Sequence, residues 1–167
     1  MKIKVVGAGW FGCHTALTLI NDGHEVELHE INDKIFSGAS GKIPARLHLG
    51  ATHYPRSMAT QKACLNHRKQ FMKEYGSLTG CVETNIYAIA CDHSVIDFGT
   101  YHLICKNTNE ILTIYDPAEF GLQNVEGAIM TAERHIIADK TIDFFMKELA
   151  GYLHLESSDF SDDGFDW

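Results

Sequence analysis

The sequence predicts an α/β fold that opens with a strand, a helix and a second parallel strand, and three observations in its first 30 residues support this. Residues 2–6 read Lys-Ile-Lys-Val-Val, which is typical of a short buried strand. A glycine turn at residues 7–12 follows at once and leads into an apolar helical pattern. Residues 26–30 then alternate toward a second strand that ends on Glu30.

The turn has the spacing of a dinucleotide-binding fingerprint. Gly7 allows a tight turn after the strand, Gly9 lets the backbone approach a pyrophosphate, and Gly12 lets the helix lie close to the sheet. The unpaired amides and the dipole at the helix N-terminus favour an anion there. Gly23 is expected to end the helix in a left-handed conformation.

Glu30 is expected to bind the ribose of the dinucleotide. It lies 18 residues after Gly12, close to the position at which a carboxylate accepts hydrogen bonds from ribose hydroxyls. Its charge would repel a 2′-phosphate, which disfavours NADP.

Composition excludes several other classes of function. The 167 residues are 45% hydrophobic and 22% charged, as in ordinary globular proteins, and predict one domain or one and a half. The net charge of −8 and the absence of a basic patch argue against nucleic-acid binding. Because we find neither a signal-peptide pattern nor an apolar run long enough for a membrane span, a cytoplasmic protein is expected.

The cysteines do not indicate disulfides or a strong metal site. There are five, an odd number, with no CxxC pair, which predicts free thiols. A zinc site formed by Cys91, His93, His102 and Cys105 is conceivable from their proximity in sequence, but the first pair lies in an expected strand and turn, and no metal is predicted. The motifs of hydrolases, metalloproteases and P-loop proteins are absent.

A long loop of small residues after Glu30 distinguishes the chain from a simple nucleotide-binding fold. Residues 37–42 read Ser-Gly-Ala-Ser-Gly-Lys, and their amides and hydroxyls could wrap a second phosphate or the middle of an extended cofactor. Residues 45–56 then concentrate two arginines, two histidines and a tyrosine around a glycine. This segment is either a solvated loop or a face toward cofactor or substrate.

At these positions the chain resembles the flavin-dependent oxidoreductases of the D-amino-acid oxidase and glycine oxidase type. Ala16 and Gly23 match the extended FAD fingerprint of that family, and Glu30 matches its ribose-binding acid. Residues 37–54 resemble the family's loop that passes the pyrophosphate and reaches the flavin ring.

The resemblance implies FAD as the cofactor, and an α/β, Rossmann-like FAD-binding domain with part of an inserted α+β substrate domain. It assigns residues 1–80 and 135–167 to the FAD-binding domain and residues 81–134 to the insertion. The cofactor-binding residues it implies are Gly7, Gly9, Trp10, Phe11 and Gly12 at the pyrophosphate turn, Glu30 at the ribose, Ser37 and Ser40 at the central phosphates, and Arg46, Leu47 and His48 on the flavin side. No catalytic residue is assigned.

The remaining chain predicts short strands with intervening helices. Helices are expected over residues 57–75, with Met58, Leu65 and Met72 inward, over residues 98–106, and from an Asp139 cap to about residue 152, with Met146 among its inward residues. Strands are expected at residues 86–90, 110–115, 127–131 and 153–156, with a turn or helix starting at Asp116-Pro117.

Several functional alternatives remain open. In the family a long second half follows the last of these strands, so we expect a fragment, a truncated product or a module completed by another chain, as a possible oligomer or with a complementary half. The expected activity is hydride transfer from a small amine or amino-acid substrate to the flavin. The alternatives are an NAD-binding dehydrogenase module and a non-catalytic dinucleotide-binding protein.

Overall fold

The computed structural model describes residues 1–42, 45–49, 57–106 and 113–158. It divides into two compact units, one formed by residues 1–45 and 137–167 and the other by residues 46–136.

The first unit contains a parallel sheet. Its elements, in chain order, are β1 (Lys2–Val6), α1 (Trp10–Asn21), β2 (Glu25–His29), the short α2 (Ala39–Lys42), α5 (Ala138–Glu148) and β9 (Leu153–His154). Strand β2 lies between β1 and β9 and is parallel to both, with Lys2 opposite Glu25 and Leu28 opposite Leu153. This is the parallel strand–helix–strand arrangement predicted from the opening residues.

The core of the first unit lies between α1, β2 and α5. Cys13 and Ala16 are the fully buried residues of α1, and Leu28 and Phe145 are equally buried on β2 and α5. The Trp10 ring packs edge-on against the rings of Phe36 and Phe145, with centroids 6.0 and 5.6 Å away. Aromatic pairs at these distances prefer this edge-to-face arrangement.

The second unit is built on antiparallel sheets. Its elements are β3 (Arg46–Leu47), α3 (Met58–Tyr75), β4 (Thr79–Cys81), β5 (Ile86–Ala90), α4 (Phe98–Lys106), β6 (Thr113–Tyr115), β7 (Val125–Met130) and β8 (Arg134–Ile136). In the described residues, β8 pairs with both β3 and β4, and β7 pairs with both β5 and β6. A core of Tyr101, Cys105 and Ile129 joins α4 to the second of these sheets.

The boundary between the units differs from the predicted domain boundary. The chain divides after residue 45 and after residue 136, whereas the resemblance placed the insertion at residues 81–134. The physical reason is strand pairing: β3 and β4 both bond to β8, which holds the chain from Arg46 onward to the second unit.

Most of the local elements were predicted correctly. The helix at residues 98–106 is confirmed, Ser57 caps α3 by accepting a bond from the amide of Thr60, and Gly23 has a φ of +83°. The expected strand at 110–115 is described only from Thr113, and residues 110–112 lie outside the described part.

Three details were wrong. Met58 and Met146 are 47% and 39% exposed and do not face a core. Asp139 lies inside the first turn of α5, which begins after Ile137 without a side-chain cap and ends at Glu148. The periodicity of the sequence assigns both methionines to the apolar face of their helix. It does not show that they lie at the edge of that face, where a small rotation of the helix decides whether a side chain is exposed.

Among the described residues we find no helix with the length and apolar character needed to cross a membrane.

Candidate functional site: a glycine turn closed by Glu30

The turn between β1 and α1 is tightly folded around its glycines. Gly7 has a φ of +93°, a conformation that side-chain-bearing residues rarely adopt, and its amide donates a 2.7 Å bond to the carbonyl of His29. A Cβ added to Gly12 would overlap the carbonyl group of Gly7, so the start of α1 can lie against the end of β1 only because Gly12 has no side chain. Gly7 and Gly12 therefore have the structural roles that their spacing predicted, which are the tight turn after β1 and the close packing of α1.

Glu30 points back into this turn. Its Oε2 accepts a 2.7 Å hydrogen bond from the amide of Ala8, and its Oε1 accepts bonds from the amide and side chain of Asn32 at 3.0 and 2.6 Å. The side chain is buried, with 7% of the residue exposed. An ionised carboxylate has about four acceptor positions, so these three bonds leave capacity for a further donor such as a ribose hydroxyl.

The electrostatics of the turn favour the charged form of Glu30. Burial alone raises the pKa of this carboxyl, but the hydrogen bonds from Ala8 and Asn32 outweigh it and leave the pKa below its ordinary value. The neighbouring Cys13 thiol has its pKa raised to about 12, first by burial and then by the charge of Glu30. Glu30 is thus a fixed negative charge beside the glycine turn, and Cys13 is a neutral core residue.

The N-terminal turn of α1 presents main-chain donors beside Ser40. Gly9 precedes the helix and offers no side-chain cap. The amides of Trp10, Phe11 and Gly12 belong to the first turn of a helix, which has no intrahelical acceptors for them. The Ser40 hydroxyl accepts the Trp10 amide at 3.0 Å, and the position of a Cβ on Gly9 would lie 3.2 Å from the same oxygen.

The residues of the fingerprint differ in what their side chains do. The Trp10 ring belongs to the core of the unit, so only its main chain faces the turn, whereas Phe11 is 85% exposed at the helix start. Ser37 donates its hydroxyl to the carbonyl of Lys34 at 2.6 Å. The structure therefore brings Ser40 to the glycine turn and engages Ser37 in a local turn instead.

Arg46, Leu47 and His48 belong to the second unit and join a different cluster. Arg46 bonds through Nη1 to Oδ1 of Asn85, Leu47 is half-buried on β3, and His48 Nδ1 lies 3.3 Å from Oε2 of Glu133. Glu133 is 1% exposed and also accepts bonds from the amide of Leu49 and the hydroxyl of Tyr87. Sequence reasoning missed Asn32, Asn85, Tyr87 and Glu133, since none of them lies in a motif.

The four residues considered for zinc are not brought together as ligands. Cys91 and His93 are exposed after β5, while Cys105 is buried on α4. Among the described residues, the ligand atoms that converge belong to Glu27, His29 and His154, within 4.8 Å of one another.

The arrangement of this second group is unsuited to a metal ion. The rings of His29 and His154 are stacked at 4.7 Å with 18° between their planes. A metal binds in the plane of an imidazole through its nitrogen lone pair, so one ion could not lie in both planes. The Lys2 ammonium also lies 2.9 Å from Oε1 of Glu27. We therefore assign no metal to it.

Two curated fungal proteins are similar to most of this chain. The FAD-dependent monooxygenase FPY4 of Fusarium mangiferae is 33% identical over 154 residues, which are 92% of this chain and 42% of the relative. The FAD-dependent monooxygenase kojA of Aspergillus flavus is 35% identical over 167 aligned positions, covering 95% of this chain and 39% of the relative. The chain thus spans about two fifths of the length of these relatives. No protein-family model matches the chain.

Comparison with solved structures identifies the fold. The L-α-glycerophosphate oxidase of Mycoplasma pneumoniae, solved with FAD bound, has a TM-score of 0.68 at 13% identity and covers 92% of this chain. The alignment takes in 44% of that enzyme. The chain has the Rossmann-like fold of an FAD-binding domain.

A second solved structure with a similar fold is an enzyme whose name gives amino acids as its substrates. The L-amino acid deaminase from Proteus vulgaris has a TM-score of 0.64 at 15% identity, covering 93% of this chain and 39% of that enzyme. Both fungal relatives are named as FAD-dependent enzymes and the bacterial oxidase was solved with FAD bound, which agrees with the cofactor that the resemblance implies. These comparisons support the broader class of FAD-dependent oxidoreductases. The narrower resemblance to D-amino-acid and glycine oxidases stays a prediction.

Proposed function

We propose that this chain binds FAD through its first unit and is the nucleotide-binding part of an FAD-dependent oxidoreductase. The observation that carries the proposal is the position of the Glu30 carboxylate, 2.7 Å from the amide of Ala8 inside the glycine turn. A dinucleotide bound at this turn would find the phosphate-facing amides and the ribose-binding acid side by side.

The residues of the turn fit the two polar parts of the adenosine half. The amides of Gly9, Phe11 and Gly12 would hold the pyrophosphate, and Gly9 would let it approach closely. The Ser40 hydroxyl, which accepts the Trp10 amide, would donate its own proton to a phosphate oxygen. Glu30 would accept bonds from ribose hydroxyls while still holding the Ala8 amide.

The phosphate role of Ser37 has less support than that of Ser40, because its hydroxyl is bonded to Lys34. The assignment of Arg46, Leu47 and His48 to the flavin side rests on the resemblance and is part of the proposal.

When bound, the flavin would supply the redox chemistry by accepting two electrons as a hydride equivalent. The substrate we propose first is a small amine or amino acid, supported by the resemblance and by the fold that the chain shares with an L-amino acid deaminase. The whole enzyme would include parts found in the relatives beyond the two fifths that this chain spans.

A second candidate is monooxygenation, favoured by the names of the two fungal relatives. A monooxygenase places one oxygen atom of O2 in the product and reduces the other to water, so it needs a separate two-electron reductant. An amine or amino-acid oxidase instead takes its electrons from the substrate itself. Anaerobic bleaching of the flavin by an amine alone would support the first candidate, and bleaching only by a reduced nicotinamide would support the second.

The FAD proposal is tested by the visible spectrum of the purified protein and by thermal unfolding with added FAD or NAD. We expect a bound yellow flavin, or an increase in the unfolding temperature with FAD that exceeds any increase with NAD. A colourless protein stabilised by NAD and not by FAD would contradict the proposal.

A further inference from the structure

One face of the sheet formed by β3, β8 and β4 carries two side chains with nitrogen donors, and both belong to the second unit. Arg46 lies directly opposite His135 on the neighbouring strand, and His135 lies opposite Gly80 on the strand after that. Directly opposed residues of an antiparallel pair place their side chains on the same face, with Cβ atoms about 5 Å apart. The side chains of Arg46 and His135 therefore start from adjacent positions on one surface.

The Arg46 side chain is exposed, but one end of its guanidinium is anchored. Nη1 donates to Oδ1 of Asn85, which is buried and donates in turn through Nδ2 to Thr131 at 2.7 Å and to Glu133 at 3.4 Å. A guanidinium has five N–H donors in a fixed, planar fork. In the described part of the chain, Asn85 is the only hydrogen-bond partner of Arg46, so most of these donors are not used there.

The anchor of Arg46 is a neutral amide, which leaves the positive charge without a direct counterion. Among the described residues, no carboxylate lies within ion-pair distance of the guanidinium. An arginine that serves only charge balance is expected to contact a carboxylate directly, through the paired bonds that its fork favours. The arrangement at Arg46 is instead that of a guanidinium oriented by one bond and able to receive an anion on its other donors.

Gly80 determines where the His135 ring lies. A Cβ added to Gly80 would lie 2.6 Å from Cε1 and 3.0 Å from Nε2 of His135, so the ring occupies the space that a side chain at position 80 would fill. Within the described ranges, the two ring nitrogens have no hydrogen-bond partner, and neither of them is a buried atom. The imidazole is thus placed by packing, while its nitrogens stay accessible to a ligand.

We propose that Arg46 and His135 form a binding site for an oxyanion on this face, with the guanidinium as the charged donor and an imidazole N–H as the second donor. The ligand is a carboxylate or a phosphate group, because the arginine fork matches the paired oxygens of both. The site lies within the second unit and needs no flavin. That the anion belongs to the substrate of an oxidoreductase rests on the proposed function, but the anion site itself does not.

The experiment is an NMR titration of the full chain with sodium acetate and, separately, with sodium phosphate, at constant pH and ionic strength. The readout is the Cε1–H signal of the His135 imidazole, which is one of 10 histidines and is assigned by its loss in His135→Phe. We expect a saturable shift of this signal. Saturation by acetate alone would support a carboxylate ligand, by phosphate alone a phosphate ligand, and by both an oxyanion site of broad specificity. No saturable shift with either anion would overturn the proposal.

Two variants test the two donors separately. Arg46→Gln removes the charged fork and should weaken the affinity for the bound anion by roughly tenfold to 150-fold, as expected for lost hydrogen bonds to a charged group. Gly80→Ala keeps both donor side chains, but its methyl group displaces the His135 ring and should also weaken the affinity. Arg46→Lys keeps the charge without the fork, and it should bind the anion less tightly than the wild type if Arg46→Gln does not fold.

The control is Lys69→Gln, which removes one exposed positive charge from α3 in the same unit. It should bind the anion as the wild type does, because it leaves both donors unchanged. Circular dichroism confirms that each variant is folded. Equal affinity of the wild type and a folded Arg46→Gln, or an equal loss of affinity in Lys69→Gln, would overturn the proposal.

A parallel titration with FAD separates this inference from the proposed function. Saturable anion binding by a chain that does not bind FAD would support the site at Arg46 and His135 and contradict the proposed function. Binding of FAD by a chain that binds neither acetate nor phosphate would overturn the anion site and leave the proposed function standing.

Discussion

The Oε2 atom of Glu30 accepts a hydrogen bond of 2.7 Å from the main-chain amide of Ala8, which lies 22 residues earlier in the chain. The acid at the end of one strand thus holds the turn that follows the neighbouring strand. In the proposed site this bond would orient the turn toward the phosphates and the carboxylate toward the ribose, so one residue would serve both the fold and the site.

Glu30→Gln should destabilise the protein in a pH-dependent way. The pKa of Glu30 is lowered in the folded protein, so its stabilisation is present above the ordinary value of 4.5 and is lost as the pH falls through the lower folded value. We expect a deficit of about 1.5–3 kcal/mol at pH 7, typical of hydrogen bonds to a charged group, that shrinks below about pH 4.5. Urea unfolding at a series of pH values measures it.

The control for this variant is Glu25→Gln, which changes an exposed carboxylate at the start of β2, the strand that leads to Glu30. Its free energy of unfolding should stay within about 0.5 kcal/mol of the wild type at pH 7. A deficit for Glu30→Gln that is constant from pH 7 to pH 4 would contradict the charged hydrogen bonds.

Gly12→Ala and Gly9→Ala should separate folding from binding. A methyl group on Gly12 would overlap the backbone of Gly7, so this variant should lose several kcal/mol of stability or fail to fold. Among the described residues, a methyl group on Gly9 meets only the Ser40 hydroxyl, at 3.2 Å, so the fold should persist while FAD affinity falls. Circular dichroism and FAD titration measure the two effects. Equal FAD affinity for Gly9→Ala and the wild type would show that the phosphate lies elsewhere.

Ser40→Ala and Ser37→Ala form a matched pair within one loop. The Ser40 hydroxyl is bonded to Trp10 at the helix start, whereas the Ser37 hydroxyl is bonded to Lys34. Loss of one hydrogen bond to a charged phosphate group should weaken FAD binding by about 1.5–3 kcal/mol in Ser40→Ala. Ser37→Ala should bind FAD as the wild type does. The assignment fails if titration calorimetry gives the reverse order.

Cys13 should resist alkylation in the folded protein. It is fully buried, and burial and the charge of Glu30 raise its pKa to about 12, whereas Cys81 and Cys91 are exposed. Since the thiolate is the reactive form, iodoacetamide at pH 8 should modify Cys81 and Cys91 first and Cys13 only after unfolding. Peptide mass spectrometry identifies the sites. Modification of Cys13 as early as that of Cys81 and Cys91 would contradict its burial between α1 and β2.

The features that could be predicted from the sequence are those determined by local spacing. The conformations required of Gly7 and Gly23, the boundaries of α4 and the alternation of Val26 and Leu28 depend on neighbours within a few residues. The position of Glu30 could also be predicted, because β2 runs parallel to β1 and the residue after its end has to lie near the turn that follows β1.

The features that could not be predicted depend on pairings between distant residues. Glu133 reaches His48 because β8 pairs with β3, and nothing in the sequence around either residue indicates that contact. Ser37 and Ser40 lie in the same small-residue loop, and the sequence does not distinguish their roles. Ser40 lies on the short helix α2 and bonds to Trp10 at the glycine turn, whereas Ser37 precedes that helix and bonds to Lys34. The exposure of Met58 likewise depends on packing at the edge of a helix face.

The most direct test of the central claim is a titration of the purified chain with FAD, monitored by flavin absorbance and fluorescence, compared with the same titration of Glu30→Ala. We expect saturable binding of FAD to the wild type, with affinity lower by about 1.5–3 kcal/mol, roughly tenfold to 150-fold, in the folded variant. Binding of NAD in place of FAD, or equal FAD affinity of the two proteins, would contradict the account.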